Sequence, residues 1–370
     1  MAVLPGVLGC GTLRRTVQVR LGTDTLWLPG TRRKRLRCAW HAHLHGLATA
    51  IHETSGLEHK GGIIMRKLLF SLVILCFLAV PLNGFAAGPV NVASKGFTEQ
   101  VILGKIMVQL LQARGIPVKD RTSLGGTNVN REALEQGQID VYMEYTGTAW
   151  FNFFKKKETV RDSMGLYEKV KAIDAKNDLV WLAPAKFNNT YAIVMQAKQA
   201  DELGINSLSD WAAWIKKNPG KMTVATNAEF YSRADGFKGM MEFYGLSFGK
   251  DIPDANVKKM ETPLCKKAVR DKQAMCGMAF ATDGEINAYN QKVLADDKGF
   301  FPIYNPAPVI RKSVLDQYPE VKYILDEIGP SLDTGTMTRL NYRVNVNGEK
   351  PESVAKSWLR GVGLIVKKKK

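Results

Sequence analysis

Between residues 65 and 370 the sequence contains no histidine; all five, His41, His43, His45, His52 and His59, fall within residues 1–64. That absence excludes Ser-His-Asp and Cys-His catalysis downstream, and any histidine-containing zinc site. Cysteine is almost as scarce. Cys10 and Cys38 share the histidine-bearing stretch, Cys76 stands in an apolar run, and only Cys265 and Cys276 remain. Two cysteines cannot make an all-cysteine zinc site, which takes four ligands. No Gly-rich loop of the P-loop or dinucleotide type occurs. An enzyme would have to work with carboxylates, lysines or a bound cofactor, so the chain is expected not to be one, and no metal or cofactor is expected.

What is present divides the chain. Residues 1–64 hold Arg32-Arg33-Lys34-Arg35 and no clear apolar period. At Met65 the character changes: Arg66-Lys67 is a basic n-region, Leu68 to Leu82 is mostly apolar, and Gly84-Phe85-Ala86 offers a small-x-small cleavage pattern. These are the parts of a secretory signal peptide, with an apolar core short against the roughly 20 residues of a membrane span. Cys76 lies inside that core, after Leu75 rather than a small residue, so lipidation is not expected. Residues 1–64 are expected to be a mis-annotated or disordered extension, with translation starting at Met65 and residues 65–87 removed on export to the periplasm. The rival reading is a basic nucleic-acid-binding arm, for which an exported protein has little use.

Charge follows the same division. Residues 1–64 carry nine Lys/Arg against three Asp/Glu, Arg66 and Lys67 add two, and Lys367 to Lys370 add four; of the total +17, only about +5 is left for the folded body. That body offers no electrostatic case for nucleic acid. Its two cysteines, Cys265 and Cys276, suggest one disulfide in an exported protein, worth roughly 2–3 kcal/mol in the chain-entropy model. Two buried free thiols are the alternative.

Within the body, Ile139, Val141, Met143 and Tyr145 alternate with Asp140, Tyr142 and Glu144, the period of a strand, which stops at Thr146-Gly147-Thr148. Gly147 reads there as a residue able to take φ > 0. Upstream, Val90 to Ser94 reads as a strand, Lys95-Gly96-Phe97 as a turn, and Thr98 as the cap of a helix with Val101, Ile102, Ile106, Leu110 and Leu111 on its apolar face. A second strand runs near Val118 to Ser123 and a short helix follows Gly125-Gly126-Thr127-Asn128. The order is β-α-β-α-β, a parallel sheet with helices on its faces. Strands are also expected at Leu179 to Ala183, Ala192 to Met195, Lys221 to Ala225 and Met278 to Ala281. Helices are expected near Met164 to Asn177, Ser209 to Lys217 and Ala234 to Tyr244, and near Ser313 to Gln317, Pro319 to Ile328 and Pro351 to Leu359.

Five stretches, in this order, resemble the substrate-binding proteins of ABC importers for quaternary-ammonium osmoprotectants (glycine betaine, proline betaine, choline, carnitine). They are Ala93 to Glu99, Glu144 to Thr148, Phe187 to Ala192, Ala228 to Gly236, and Thr282-Asp283-Gly284 followed by Phe301 to Pro308. The resemblance runs from about Val90 to Val362. It implies a type II periplasmic binding protein fold: two α/β lobes, each a mostly parallel sheet flanked by helices, with the ligand cleft between them. Lobe one would take residues 90–188 and 306–366, and lobe two residues 189–305.

The resemblance also implies a site. An aromatic cage for the methylated cation would use Tyr145, Tyr191, Phe280 and Tyr304, and a carboxylate clamp would use Lys95, Thr148 and Arg233. Phe280 stands where the family often has tyrosine; it keeps the ring face and loses the hydroxyl. Strand alternation leaves Tyr142 in the core, and Asp283 is expected to orient lobe two. A betaine-type zwitterion suits the two halves better than choline, which would leave two cations unpaired. A polar amino acid is the remaining alternative and would need a carboxylate, such as Glu144 or Asp283, in the pocket. The implied partners are that small quaternary amine and the permease subunits in the inner membrane, with the protein itself a monomer. An expected outcome follows for export: N-terminal sequencing of the secreted protein should read from Ala87 or Gly88, and a start within residues 1–64 would overturn the processing scheme.

Overall fold

The computed structural model describes residues 88–366; residues 1–87 and 367–370, with the expected signal peptide and lysine tail, lie outside the described residues. Ten strands form two five-stranded sheets. The first contains β1 (Val90–Lys95), β2 (Val118–Gly125), β3 (Val141–Tyr145), β4 (Leu179–Trp181) and β10 (Pro306–Arg311), in the order β2-β1-β3-β10-β4. The second contains β5 (Tyr191–Gln196), β6 (Val224–Thr226), β7 (Val257–Lys259), β8 (Cys276–Phe280) and β9 (Gln291–Val293), in the order β7-β6-β8-β5-β9. Each sheet is the floor of one lobe.

The sheets are mixed, not mostly parallel. In the first, β1 runs parallel to β2 and β3, while β10 is antiparallel to β3 and β4. The second repeats the pattern: β6 is parallel to β7 and β8, and β5 is antiparallel to β8 and β9. The cause is the route of the chain. Both β5 and β10 arrive from the other lobe, so they enter their sheets at the edge facing that lobe, where β8 and β3 end. A strand that starts where its neighbour stops must run antiparallel to it.

Strand β3 is buried along its whole length, as helices cover both faces of its sheet. Its alternation sorts residues between two cores: Val141 and Met143 join one hydrophobic cluster and Tyr142 another. Tyr145, at the strand's end, packs instead with the second lobe's cluster. Helix α1 (Thr98–Ala113) closes the β1–β2 crossover and buries Ile102, Leu103, Ile106, Leu110 and Leu111. Phe97, not Thr98, is its N-cap and supplies no side-chain bond; the Thr98 hydroxyl donates instead to Asn345 Oδ1 at 2.6 Å. Asn345 closes α2 (Thr334–Asn345), a helix the sequence pattern does not announce. Its opening run Thr-Gly-Thr-Met-Thr has poor helix propensity, and Asp333 starts it by accepting from the Thr336 amide.

The expected disulfide is absent. Cys265, in the helix Thr262–Arg270, and Cys276, at the start of β8, are both buried and free. Their sulfurs turn to different carbonyls, Cys265 Sγ to Glu261 and Cys276 Sγ to Thr223, each at 3.7 Å. Export alone predicts pairing, but pairing needs two sulfurs aimed at each other. Burial pushes both thiols up to about 12, so they stay protonated and inert. Alkylation should therefore be slow on both in the native protein and complete on both after denaturation without reductant. A Cys265–Cys276 disulfide peptide in a non-reduced digest would contradict this structure.

Candidate ligand-binding cleft

The two entry points of the crossing strands bring the site together. Tyr145 ends β3 opposite Pro306, and Phe280 ends β8 opposite Tyr191, which begins β5. Tyr304 lies two residues before β10. Four rings from distant parts of the sequence thus meet at the facing edges of two sheets, the position where open α/β sheets hold ligands. The turn after β3 is tight for a reason the sequence did not reveal. Gly147 is not among the residues with positive φ; a Cβ there would lie 2.6 Å from the Ile303 carbonyl and 2.8 Å from the Tyr304 ring. Glycine lets the crossing segment pass close enough to seat Tyr304.

A cavity of about 530 Å³ lies between the lobes, and Lys95, Tyr145, Thr148, Tyr191, Phe280 and Tyr304 all line it. Tyr191 lies 5.2 Å from Phe280 and 5.5 Å from Tyr304, the latter edge-on. Phe97 also lines the cavity, its ring 5.2 Å from Phe280 and 6.3 Å from Tyr145. Sequence reasoning left it as a turn residue, though it stands in the first of the resembling stretches. Burial pushes the phenols of Tyr145, Tyr191 and Tyr304 above their usual value, so the rings present neutral faces.

The seventh expected residue, Arg233, does not line the cavity. Its Nε and Nη2 donate to the two Asp235 oxygens at 2.8 and 2.5 Å, and its Nη1 donates to Glu229 at 3.1 Å. Burial opposes its charge, but the oxygens of Tyr191, Tyr304 and Asp235 hold its pKa well above the ordinary value. Asp235 also accepts from the Tyr304 hydroxyl at 2.5 Å, so the ion pair fixes a ring that lines the cavity. Lys95 is engaged too: its Nζ donates to Glu144 Oε1 at 2.6 Å, and Glu144 accepts further from the Tyr145 amide and the Tyr142 hydroxyl. Neither cation waits unpaired for a ligand. Thr148, in contrast, makes no side-chain hydrogen bond within the described residues.

The lobes touch across the cleft. Thr127 of lobe one donates to Glu229 of lobe two at 2.7 Å, and the Asn341 amide of α2 donates to the Thr282 carbonyl at 2.9 Å. Thr282 Oγ1 lies 2.5 Å from Glu99 Oε2 and 2.9 Å from Asn189 Oδ1. Glu99 sits in the first turn of α1 and also accepts from the Tyr145 hydroxyl at 2.7 Å. Its carboxyl is raised to about 7, chiefly by burial, against the lowering effect of bonds from Thr282, Tyr145 and Asn341. Next to Thr282, Asp283 pairs with the buried Lys266 at 2.6 Å and accepts the Phe280 amide. Gly284 meets α2 directly: a Cβ there would lie 2.5 Å from the Tyr342 Cα.

Residues 88–361 match the family described as the substrate binding domain of ABC-type glycine betaine transport systems. The chain belongs to this family. It is a solute-binding transport protein, not an enzyme, with the two-lobed fold of type II periplasmic binding proteins. It is 38% identical over 301 residues to a glycine-betaine-binding protein of Pseudomonas aeruginosa, covering 80% of this chain and 95% of that one. It is 35% identical over 302 residues to the ergothioneine transport permease/ergothioneine binding protein EgtU of Helicobacter pylori, covering 81% of this chain and 52% of that one. The solved structure of apo YehZ from Escherichia coli aligns with a TM-score of 0.56 at 35% identity, over 75% of this chain and 100% of that one.

The Arg233–Asp235 pair yields a stability prediction. Asp235→Ala leaves a buried guanidinium short of its bidentate partner, and such losses cost about 3–5 kcal/mol. Urea denaturation should show a fall of that order; a change below about 1 kcal/mol would mean that Glu229 alone neutralises Arg233.

Proposed function

We propose that this protein captures a quaternary-ammonium zwitterion of the glycine betaine type in the periplasm and delivers it to an ABC permease in the inner membrane. The observation that carries the reading is the ring of neutral aromatic faces around the cavity. A quaternary ammonium has no N–H to donate, so hydrogen-bond acceptors cannot select it, whereas ring quadrupoles attract its diffuse charge. Each ring contributes about 0.5–2 kcal/mol, so the four rings Tyr145, Tyr191, Phe280 and Tyr304 supply roughly 2–8 kcal/mol, against about 8 kcal/mol for micromolar binding. The carboxylate end then falls to Lys95 and Thr148. Lys95 spends one ammonium hydrogen on Glu144 and keeps donors for a ligand oxygen. Arg233 acts through Asp235 on Tyr304 rather than on the ligand.

This assignment narrows the margin against choline. Its missing carboxylate strands no cation, because Glu144 already balances Lys95 and Asp235 balances Arg233. Choline is therefore the second reading. A polar amino acid loses support: the carboxylates it would need, Glu144 and Asp283, are taken up by Lys95 and Lys266. The reading includes a start at Met65, a periplasmic location, which the family supports, and a protein that acts as a monomer. A permease partner is supported by the Helicobacter pylori relative, whose name joins permease and binding protein in one chain.

Calorimetry with glycine betaine, proline betaine, carnitine and choline tests the ligand class, and heat with none of the four would overturn it. Tyr191→Leu should weaken binding about 2- to 30-fold, the equivalent of one ring. Tyr191→Phe should bind as the parent does, because the Tyr191 hydroxyl makes no hydrogen bond among the described residues.

A further inference from the structure

Tyr145, Glu99, Thr282 and Asn189 form a chain of close polar contacts that crosses between the lobes. The Tyr145 hydroxyl donates to Glu99 Oε1, Glu99 Oε2 faces Thr282 Oγ1, and Thr282 Oγ1 faces Asn189 Oδ1. A threonine hydroxyl carries one hydrogen, and here it stands between two acceptors. Those acceptors are Glu99 Oε2 and Asn189 Oδ1, and the hydroxyl can serve only one of them. One hydrogen is then missing, and the only group placed to supply it is the Glu99 carboxyl.

We propose that Glu99 works as a neutral acid that donates to Thr282, and so latches lobe two onto the cage ring Tyr145 only while it holds a proton. Glu99 is a positioning residue: it touches Tyr145 and Thr282, not the ligand. The proposal rests on the reading of the cleft as a cage. Loss of the proton leaves one of the two acceptors at Thr282, the Glu99 carboxylate or Asn189 Oδ1, without a hydrogen while the lobes are closed, so the closed form is weakened. The other titratable and charged groups around Glu99 already have partners. Tyr145 keeps its proton, Asp283 is paired with Lys266, and Lys95 is paired with Glu144 beyond the Tyr145 ring. From α2 the facing group is the neutral Asn341 amide. With no histidine between residues 65 and 370, a pH response near neutrality has few other sources.

The direction follows from linkage. Parting the lobes removes Thr282 and admits water to Glu99, which returns it toward its ordinary 4.5, whereas in the closed form it stands near 7. Closure between those values takes up a proton, so the closed form loses ground as pH rises from about 4.5 to about 7, by at most about tenfold per unit, and levels off above.

Small-angle scattering of the ligand-free protein from pH 5 to 8.5 reads closure without any ligand, and glycine betaine titrations over the same range read affinity. The wild type is expected to open, and to lose affinity at least several-fold, between pH 5 and 7, with little change beyond. Glu99→Gln, whose amide donates to Thr282 and accepts from Tyr145 without a titrating proton, should lose that slope. Thr282→Val should be more open at every pH, and Thr282→Ser should restore the wild-type profile. A wild-type scattering profile that is flat in pH, or a Glu99→Gln profile that keeps the slope, overturns the latch. If scattering behaves as expected and no quaternary amine binds at any pH, the latch stands and the ligand assignment fails.

Discussion

The chain passes between its two sheets, and each pass must enter a sheet at the edge that faces the other lobe. Nearly everything about the cleft depends on this. It makes β5 and β10 antiparallel to the strands whose ends they meet, and it sets Tyr191 against Phe280 and Pro306 against Tyr145 in backbone register. Residues far apart in sequence are held within one cavity by ladder hydrogen bonds rather than by loops. The cage walls are as rigid as the sheets, which reduces the ordering cost that a ligand would otherwise bear.

The second theme is charge kept in balance without a ligand. A cation buried beside a cavity is costly unless paired. Here each cation near the cleft comes with its own carboxylate: Lys95 with Glu144, Arg233 with Asp235 and Glu229, Lys266 with Asp283. These pairs also hold rings and turns in place, through the Tyr304 hydroxyl on Asp235 and the Phe280 amide on Asp283. Neutral ring faces make up much of the cavity wall, with Lys95 among them and the Arg233–Asp235 and Lys266–Asp283 pairs behind.

Much of the cleft was legible in the sequence because its residues sit at strand ends, which alternation and turn residues mark well. Alternation and the turn single out Tyr145 and Thr148, whereas Tyr191, Phe280 and Tyr304 come from the resemblance. What was hidden has a common cause, the dependence of a side chain's partner on three-dimensional context. Arg233 reads as a free donor until Asp235, two residues on, is seen to fold back onto it. Phe97 reads as a turn residue until β1 and α1 aim it between Tyr145 and Phe280. Cys265 and Cys276 suit a disulfide by compartment and count, and only the diverging sulfurs deny it. The helix Thr334–Asn345 shows only a thin apolar stripe, Met337, Leu340 and Val344, and shares that face with Asn341, which bonds across the cleft.

Gly284 carries a mechanical consequence. Its backbone rests against that of Tyr342 with no side chain between, so closure ends on a hard stop of two main chains. Side chains can repack to meet a smaller or larger guest; main chains at that spacing cannot yield. At this point the lobes can come no closer, and any side chain at position 284 would hold them further apart.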